Sequence, residues 1–197
     1  MDNTTRSERS RNLVIQAALT IIARDGAGKL TLDAIAREAG ISKGGLMHQF
    51  RSKGAVLQAL LEHQVEYFEK FSGDYMANDG AASPEPHLTT QIEVAREAIS
   101  QPQSVAFAIL GAIGEEPGLL SMFRDIDASK LAAIKAEAAD PEMATLRWMA
   151  ARGLLLSALF GLCPLSDEER EQLFDHLRDS KRWETLARAA KKRSTKK

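Results

Sequence analysis

The residues of this chain that could do covalent or metal chemistry are few and poorly spaced. Glu62, His63 and Glu66 share one stretch, with the two carboxylates four residues apart, but metal sites in helical proteins need two such helices with inward-facing ligands. His87 and His176 have no ligand-like spacing to each other or to the single cysteine, Cys163. No glycine-rich phosphate loop follows a strand, and no G-x-S-x-G is present. These absences point away from an enzyme and predict no catalytic residue, no metal and no cofactor. What stands out instead is "AIAREAGISKGGLMHQFRSKGAVL", residues 34–57, whose middle carries Lys43, His48 and Gln49 as hydrogen-bond donors beside two adjacent glycines. Glycine costs a helix about 1 kcal/mol per residue, so a helix that keeps two of them needs a use for them.

The elements around that stretch are helices. Val14, Ala17, Ala18, Ile21 and Ile22 follow the i, i+3, i+4, i+7, i+8 pattern, and Gly26 offers a stop. Thr31 can cap a second helix with Leu32, Ile35, Ala36 and Ala39 at the same spacing, closed by a left-handed Gly40. Ser42 then caps a third and Ser52 a fourth, whose apolar stripe is Leu57, Leu61, Val65 and Phe68 and which ends near Phe71–Tyr75. Two short helices joined at Gly40–Ile41 make a helix-turn-helix, whose second member enters the DNA major groove. Leu46 and Phe50, four apart, face inward. Lys43, Gly44, Gly45, Met47, His48 and Gln49 are left for the outside or the rim. A helix pressed against DNA gains where glycine lets its backbone approach; the plainer alternative is that Gly44–Gly45 is a loop or a frayed first turn.

Charge divides the chain in the same way. Residues 1–54 hold nine Lys/Arg against five Asp/Glu, residues 55–190 hold twelve against twenty-two, and "KKRSTKK" at 191–197 adds five cations, within a net charge of −1. A basic first quarter on an acidic body is expected where that end alone meets a polyanion. The arginines of "RSERSR" also read as a solvated helix start. The chain is long enough to bury a substantial core. Its longest apolar run, "GLLLSALFGLCPL", is too short for a membrane span, and "MDNTTRSERSRN" lacks the apolar segment of a secretory signal. With one cysteine there is no internal disulfide, which suits a reducing compartment. The expectation is a cytoplasmic protein with no membrane partner.

Beyond the Gly, Ser and Pro-containing loop "MANDGAASPEPH", residues 76–87, helices are predicted over 88–100, 103–115, 118–139, 141–162 and 166–179, with a short one over 180–190. Asp140–Pro141 is a capping residue followed by proline at the first helical position, and Ser166 with Glu169 forms a capping box. The predicted organisation is all-α: residues 1–54 a three-helix helix-turn-helix DNA-binding domain, 55–75 a connecting helix, 76–190 a larger C-terminal helical domain, and 191–197 a frayed basic tail.

"TLDAIAREAGISKGGLMHQFRSKGAVLQALL" resembles the DNA-binding segment of the TetR (tetracycline repressor) family of bacterial transcription regulators. The family pattern T-x-x-x-I-A-x-x-A-G-[VI]-S-x-G-x-L-Y-x-H-F-x-S-K-x-x-L is met at Thr31, Ile35, Ala36, Ala39, Gly40, Ile41, Ser42, Gly44, Leu46, Phe50, Ser52 and Lys53. The resemblance covers about the first 60 residues. It implies that Thr31 and Lys53, at two helix starts, hold DNA phosphates, that Lys43, Gly44, Gly45 and His48 lie along the major groove, and that Ser42 and Met47 are DNA-binding beside them. Lys43 suits guanine O6 and N7, and Gln49, if it points outward, suits an adenine edge. Met47 replaces a customary tyrosine and Gln49 a common histidine, so one usual phosphate contact is missing.

The resemblance further implies a homodimer on a palindromic double-stranded operator and release by a small molecule. In the 141–162 helix, Met143, Leu146, Ala150, Gly153, Leu154, Ser157 and Gly161 share one face, and Trp148, Leu155, Leu159 and Leu162 the other. A helix apolar on two sides must be covered on two sides. One cover is its own core and the other, joined by Leu173, Phe174 and Leu177 of the next helix, is a twin in a four-helix bundle; alternatively both faces pack within one monomer. Phe107, Leu110, Met122, Phe123, Trp148 and Leu155 are candidates to line a pocket for an apolar or aromatic ligand, or are simply core. The combined expectation is a repressor; a helical adaptor that uses its first 60 residues for protein contact is the competing reading.

Overall fold

A computed structural model describes residues 3–101, 113 and 118–183, with side chains from Ser7 onward except those of Leu119 and Met122. Among the described residues the regular elements are helices: α1 (Asn3–Asp25), α2 (Leu32–Ala39), α3 (Lys43–Gln49), α4 (Lys53–Ala77), α5 (Pro86–Ser100), α6 (Leu119–Glu137), α7 (Pro141–Leu159) and α8 (Asp167–Arg178). Single 3-10 turns occupy Ala27–Lys29 and Gly80–Ala82. The chain is all-α, as the periodicity predicts, and none of these helices is long and apolar enough to cross a membrane. The predicted helix over 103–115, apart from residue 113, the segment beyond Trp183 and the basic tail lie outside the described residues.

Contacts group residues 1–67 with 102–122 into one unit, and 68–101 with 123–197 into a second. In the first unit Val14, Ala18, Ile21 and Ile22 of α1 are buried with Ile35 and Ala36 of α2, Leu46 of α3, Phe50, and Val56, Leu57, Leu60 and Leu61 of α4. Local chemistry sets the boundaries. The Ala34 N–H donates to the Thr31 hydroxyl, the Gly45 N–H to Ser42 and the Ala55 N–H to Ser52, each at 3.1 Å. Gly40 ends α2 at φ 67°, a left-handed conformation, and lets the Ile41 N–H reach the Ala36 carbonyl at 3.0 Å. α4 runs to Ala77, two residues past the predicted Phe71–Tyr75 end.

In the second unit Leu88, Ile92 and Ala95 of α5 meet Ile134 of α6, Ala144, Trp148 and Ala151 of α7, and Phe174 and Leu177 of α8. Asp140 caps α7 by accepting from the Met143 N–H at 3.1 Å, and Ser166 and Glu169 form the capping box of α8. Two expectations change here. Phe174 and Leu177, assigned from their spacing to an intermolecular face, are buried in this core, because α8 turns its Phe174–Leu177 edge onto α5 and α7. Gly161 and Leu162, assigned to faces of the long helix, lie past its end at Leu159. Gly161 has φ 65°, and the Leu162 N–H bonds the Ser157 carbonyl at 2.8 Å. That is a glycine-terminated helix end, and Leu162 beyond it is exposed.

Candidate nucleic-acid interface

α2 and α3 position the site. Leu46 and Phe50 are buried, and this leaves Lys43, Gly44, Gly45, Met47 and His48 exposed together on the outer side of α3, with Thr31 and Ser42 exposed at the starts of α2 and α3. Glycines 44 and 45 are helical, so the loop alternative is excluded. A Cβ built on Gly44 would meet nothing within 4 Å, whereas one on Gly45 would come within 3.2 Å of the Ser42 hydroxyl oxygen. The fold therefore has no internal need for glycine at position 44.

Capping and external contact are compatible at Thr31 and Ser42. Each hydroxyl oxygen uses a lone pair to accept a backbone N–H and keeps its own O–H as a donor. Lys53 is the first residue of α4 and is half-buried. Lys43 reaches back across the turn: its Nζ lies 2.8 Å from Asp33 Oδ1 in the first turn of α2.

Gln49 is not the outward adenine reader that the sequence allowed. It is turned in, and its Nε2–H donates to the Ser7 carbonyl at 3.3 Å, tying the end of α3 to the start of α1. Arg11 likewise belongs to the fold. It pairs with Glu62 of α4 at 2.7 Å and its guanidinium lies 5.6 Å from the centre of the Phe50 ring. Of the potential metal cluster on α4, Glu62 is thus already engaged, and it also accepts from Gln58.

Beside Thr31 runs a cleft of about 420 Å³ lined by Ile21, Arg24, Asp25, Lys29, Ala34, Arg37 and Glu38 as well as Thr31. Arg24 bridges Asp25 and Glu38, each at 3.0 Å. Its hydrogen bonds hold the Asp25 carboxyl below the usual carboxylate range and raise the Arg24 guanidinium further above its own. The sequence alone does not single out Asp33. An acid in a first helical turn reads as a partner for the helix dipole, and nothing in the spacing shows that it touches Lys43.

For the predicted ligand pocket, Phe107 and Leu110 lie outside the described residues, as does the Met122 side chain. Trp148 is buried in the second unit's core, Leu155 packs against that core, and Phe123 is half-buried. Of the predicted interface residues, Leu146, Ala150 and Gly153 are exposed, Met143, Leu154 and Ser157 are half-buried, and Leu173 is exposed on α8.

Two helices joined by a left-handed glycine turn, with the second presenting a lysine, two glycines and a histidine outward, define an all-α helix-turn-helix protein. A family model described as bacterial regulatory proteins, tetR family, matches residues 14–60, and one described as tetracyclin repressor-like, C-terminal domain, matches 86–181. The chain belongs to the TetR family. Among curated proteins it is 40% identical over 63 residues to the HTH-type transcriptional regulator SrpR of Pseudomonas putida, a match spanning 30% of each chain. The matches span 30% to 47% of the lengths of these curated relatives. Among solved structures, a protein described as a transcriptional regulator from Pseudomonas aeruginosa PAO1 is similar at TM-score 0.67 and 18% identity, over 92% of this chain and 94% of that one. A protein described as a transcriptional regulator from Saccharomonospora viridis, in complex with choline, is similar at TM-score 0.67 and 19% identity, over 87% and 95%. At these identities the likeness is one of fold.

Proposed function

We propose that this protein is a cytoplasmic transcription repressor that binds a palindromic operator as a homodimer and is released by a small apolar or aromatic molecule. One observation carries the DNA-binding part: burial of Leu46 and Phe50 leaves Lys43, Gly44, Gly45, Met47 and His48 exposed on one helix face, flanked by the hydroxyl-bearing caps Thr31 and Ser42. In this reading Thr31 and Lys53 bind phosphates and position α3. Lys43 reads a guanine edge, and Gly44 and Gly45 let the α3 backbone close on the groove.

Dimerisation is supported by where apolar surface is left over. Leu146, Met149 and Leu156 of α7 are 64%, 52% and 48% exposed, and Leu162 of the following loop and Leu173 of α8 are exposed as well. Clustered apolar exposure of this kind marks an interaction surface. Phe174 and Leu177 serve the core instead, so the proposed interface is Met143, Leu146, Ala150, Gly153, Leu154 and Ser157 with Leu173, widened by the exposed Met149 and Leu156. A structural relative was solved in complex with choline, which supports a small-molecule ligand; here Phe107, Leu110, Met122, Phe123, Trp148 and Leu155 are the proposed lining. Ligand needs only to bind better to a dimer state whose reading helices miss successive major grooves, with α4 as the element common to both domains.

Selection of duplexes from a random library by the purified protein tests this, with Lys43→Ala and Lys53→Ala run beside it at several salt concentrations. Recovery of a palindrome with half-sites about one helical turn apart, weakened by both substitutions and by salt, is the expected result. No enriched motif and no effect of either lysine would leave the adaptor reading in its place.

A further inference from the structure

We propose that Asp33 is a specificity-determining residue that orients Lys43 toward a base edge and withholds it from phosphates; this rests on α3 being the DNA-reading helix. The two side chains are 69% and 58% exposed, yet they meet at 2.8 Å across the turn between α2 and α3. Both anchors are fixed, since α2 carries the buried Ile35 and Ala36 and α3 the buried Leu46. An exposed ion pair does little for stability, and a helix-start acid has no need to reach the next helix. A carboxylate on a DNA-facing surface also opposes the phosphates, so it lowers affinity for every sequence unless it returns something else.

What it returns is orientation. Lysine carries three N–H donors on a flexible stem. Unrestrained, that ammonium falls on the nearest phosphate, a contact that carries no sequence information. With one donor held by Asp33, two remain for guanine O6 and N7, and the rotamer freedom is already restricted before DNA arrives.

Selection from the random library is repeated with Asp33→Asn, Asp33→Glu, Lys43→Ala and the Asp33→Asn/Lys43→Ala double variant, each checked for wild-type melting. Asp33→Asn and Lys43→Ala should lose the same single base preference in each half-site and keep the rest, the double variant should lose nothing further, and Asp33→Glu should restore the preference. On a random-sequence duplex Asp33→Asn should bind up to about fivefold tighter, the equilibrium factor of a released exposed ion pair. Its log K against log salt slope should steepen by about 0.9, one added phosphate contact. Wild-type preferences retained in Asp33→Asn, or a further position relaxed in the double variant, overturn the proposal while leaving the regulator reading intact. A wild-type protein that enriches no duplex overturns both.

Discussion

Gly44 separates what the fold needs from what its surface is for. Because a Cβ there meets nothing within 4 Å, Gly44→Ala should cost no packing and should gain up to about 1 kcal/mol of helix propensity. In the proposed complex the same methyl would stand between α3 and the groove. The expected outcome is a melting temperature equal to or above wild type with weaker binding to the selected duplex, measured by thermal melting and DNA titration on one preparation. A variant that loses stability would show that the glycine serves the fold. Single residues were legible in the sequence where their role is local: Thr31, Ser42 and Ser52 cap as their spacing indicates, and Gly40 takes the left-handed turn. Gln49 was not, since its inward course depends on the Ser7 carbonyl 42 residues away. The Lys43–Asp33 contact was hidden for the same reason: it exists only once α2 and α3 have packed.

At the scale of elements, helix ends and helix burial are held by different physics and respond to different perturbations. The Ser166 backbone N–H and hydroxyl hold the Glu169 carboxyl below its ordinary value near 4.5. A group lowered on folding stabilises above its unfolded value, and that contribution disappears as pH falls through the folded one. Melting temperature should therefore fall on acidification below about pH 4.5 less steeply for Glu169→Gln than for wild type, because glutamine can serve the capping box without titrating.

α7 poses the opposite case. Arg147 is 2% exposed, donates to the Leu177 carbonyl at 2.8 Å and to Glu85 at 2.5 Å, while Ser180 donates to the same Glu85 oxygen at 2.6 Å. Removing one partner of a buried pair leaves the other charge uncompensated. Arg147→Ala should cost about 3–5 kcal/mol, read by denaturant unfolding, and Glu85→Gln/Arg147→Met should recover part of it. Periodicity revealed that α7 is apolar on two faces, yet not that an arginine sits between its end of the core and α8. Nor could it decide between core and interface for Phe174 and Leu177: spacing shows that a face is covered, and only packing shows by what.

At the scale of the whole molecule, the excess of cations in residues 1–54 and of anions in residues 55–190 makes affinity for a polyanion depend on how many first domains act together. Each phosphate neutralised adds about 0.9 to the slope of log K against log salt, so two linked copies on one palindrome should show about twice the slope of a single copy. The link is testable on α7. Leu146 and Leu156 are exposed and outside the core of the second unit, so Leu146→Glu/Leu156→Glu should leave the melting of a lone chain little changed while placing two carboxylates in each half of the proposed interface. Burying four unpaired carboxylates is far costlier than leaving them in water, and the variant should sediment as a monomer. Its salt slope on the selected duplex should then fall to about half the wild-type value, and its binding should become indifferent to the spacing between half-sites. A variant that remains dimeric, with slope and spacing preference unchanged, would place the dimer contact elsewhere. Monomerisation with wild-type slope would mean that one copy already makes all the phosphate contacts, and that the palindrome is not read by two α3 helices at once.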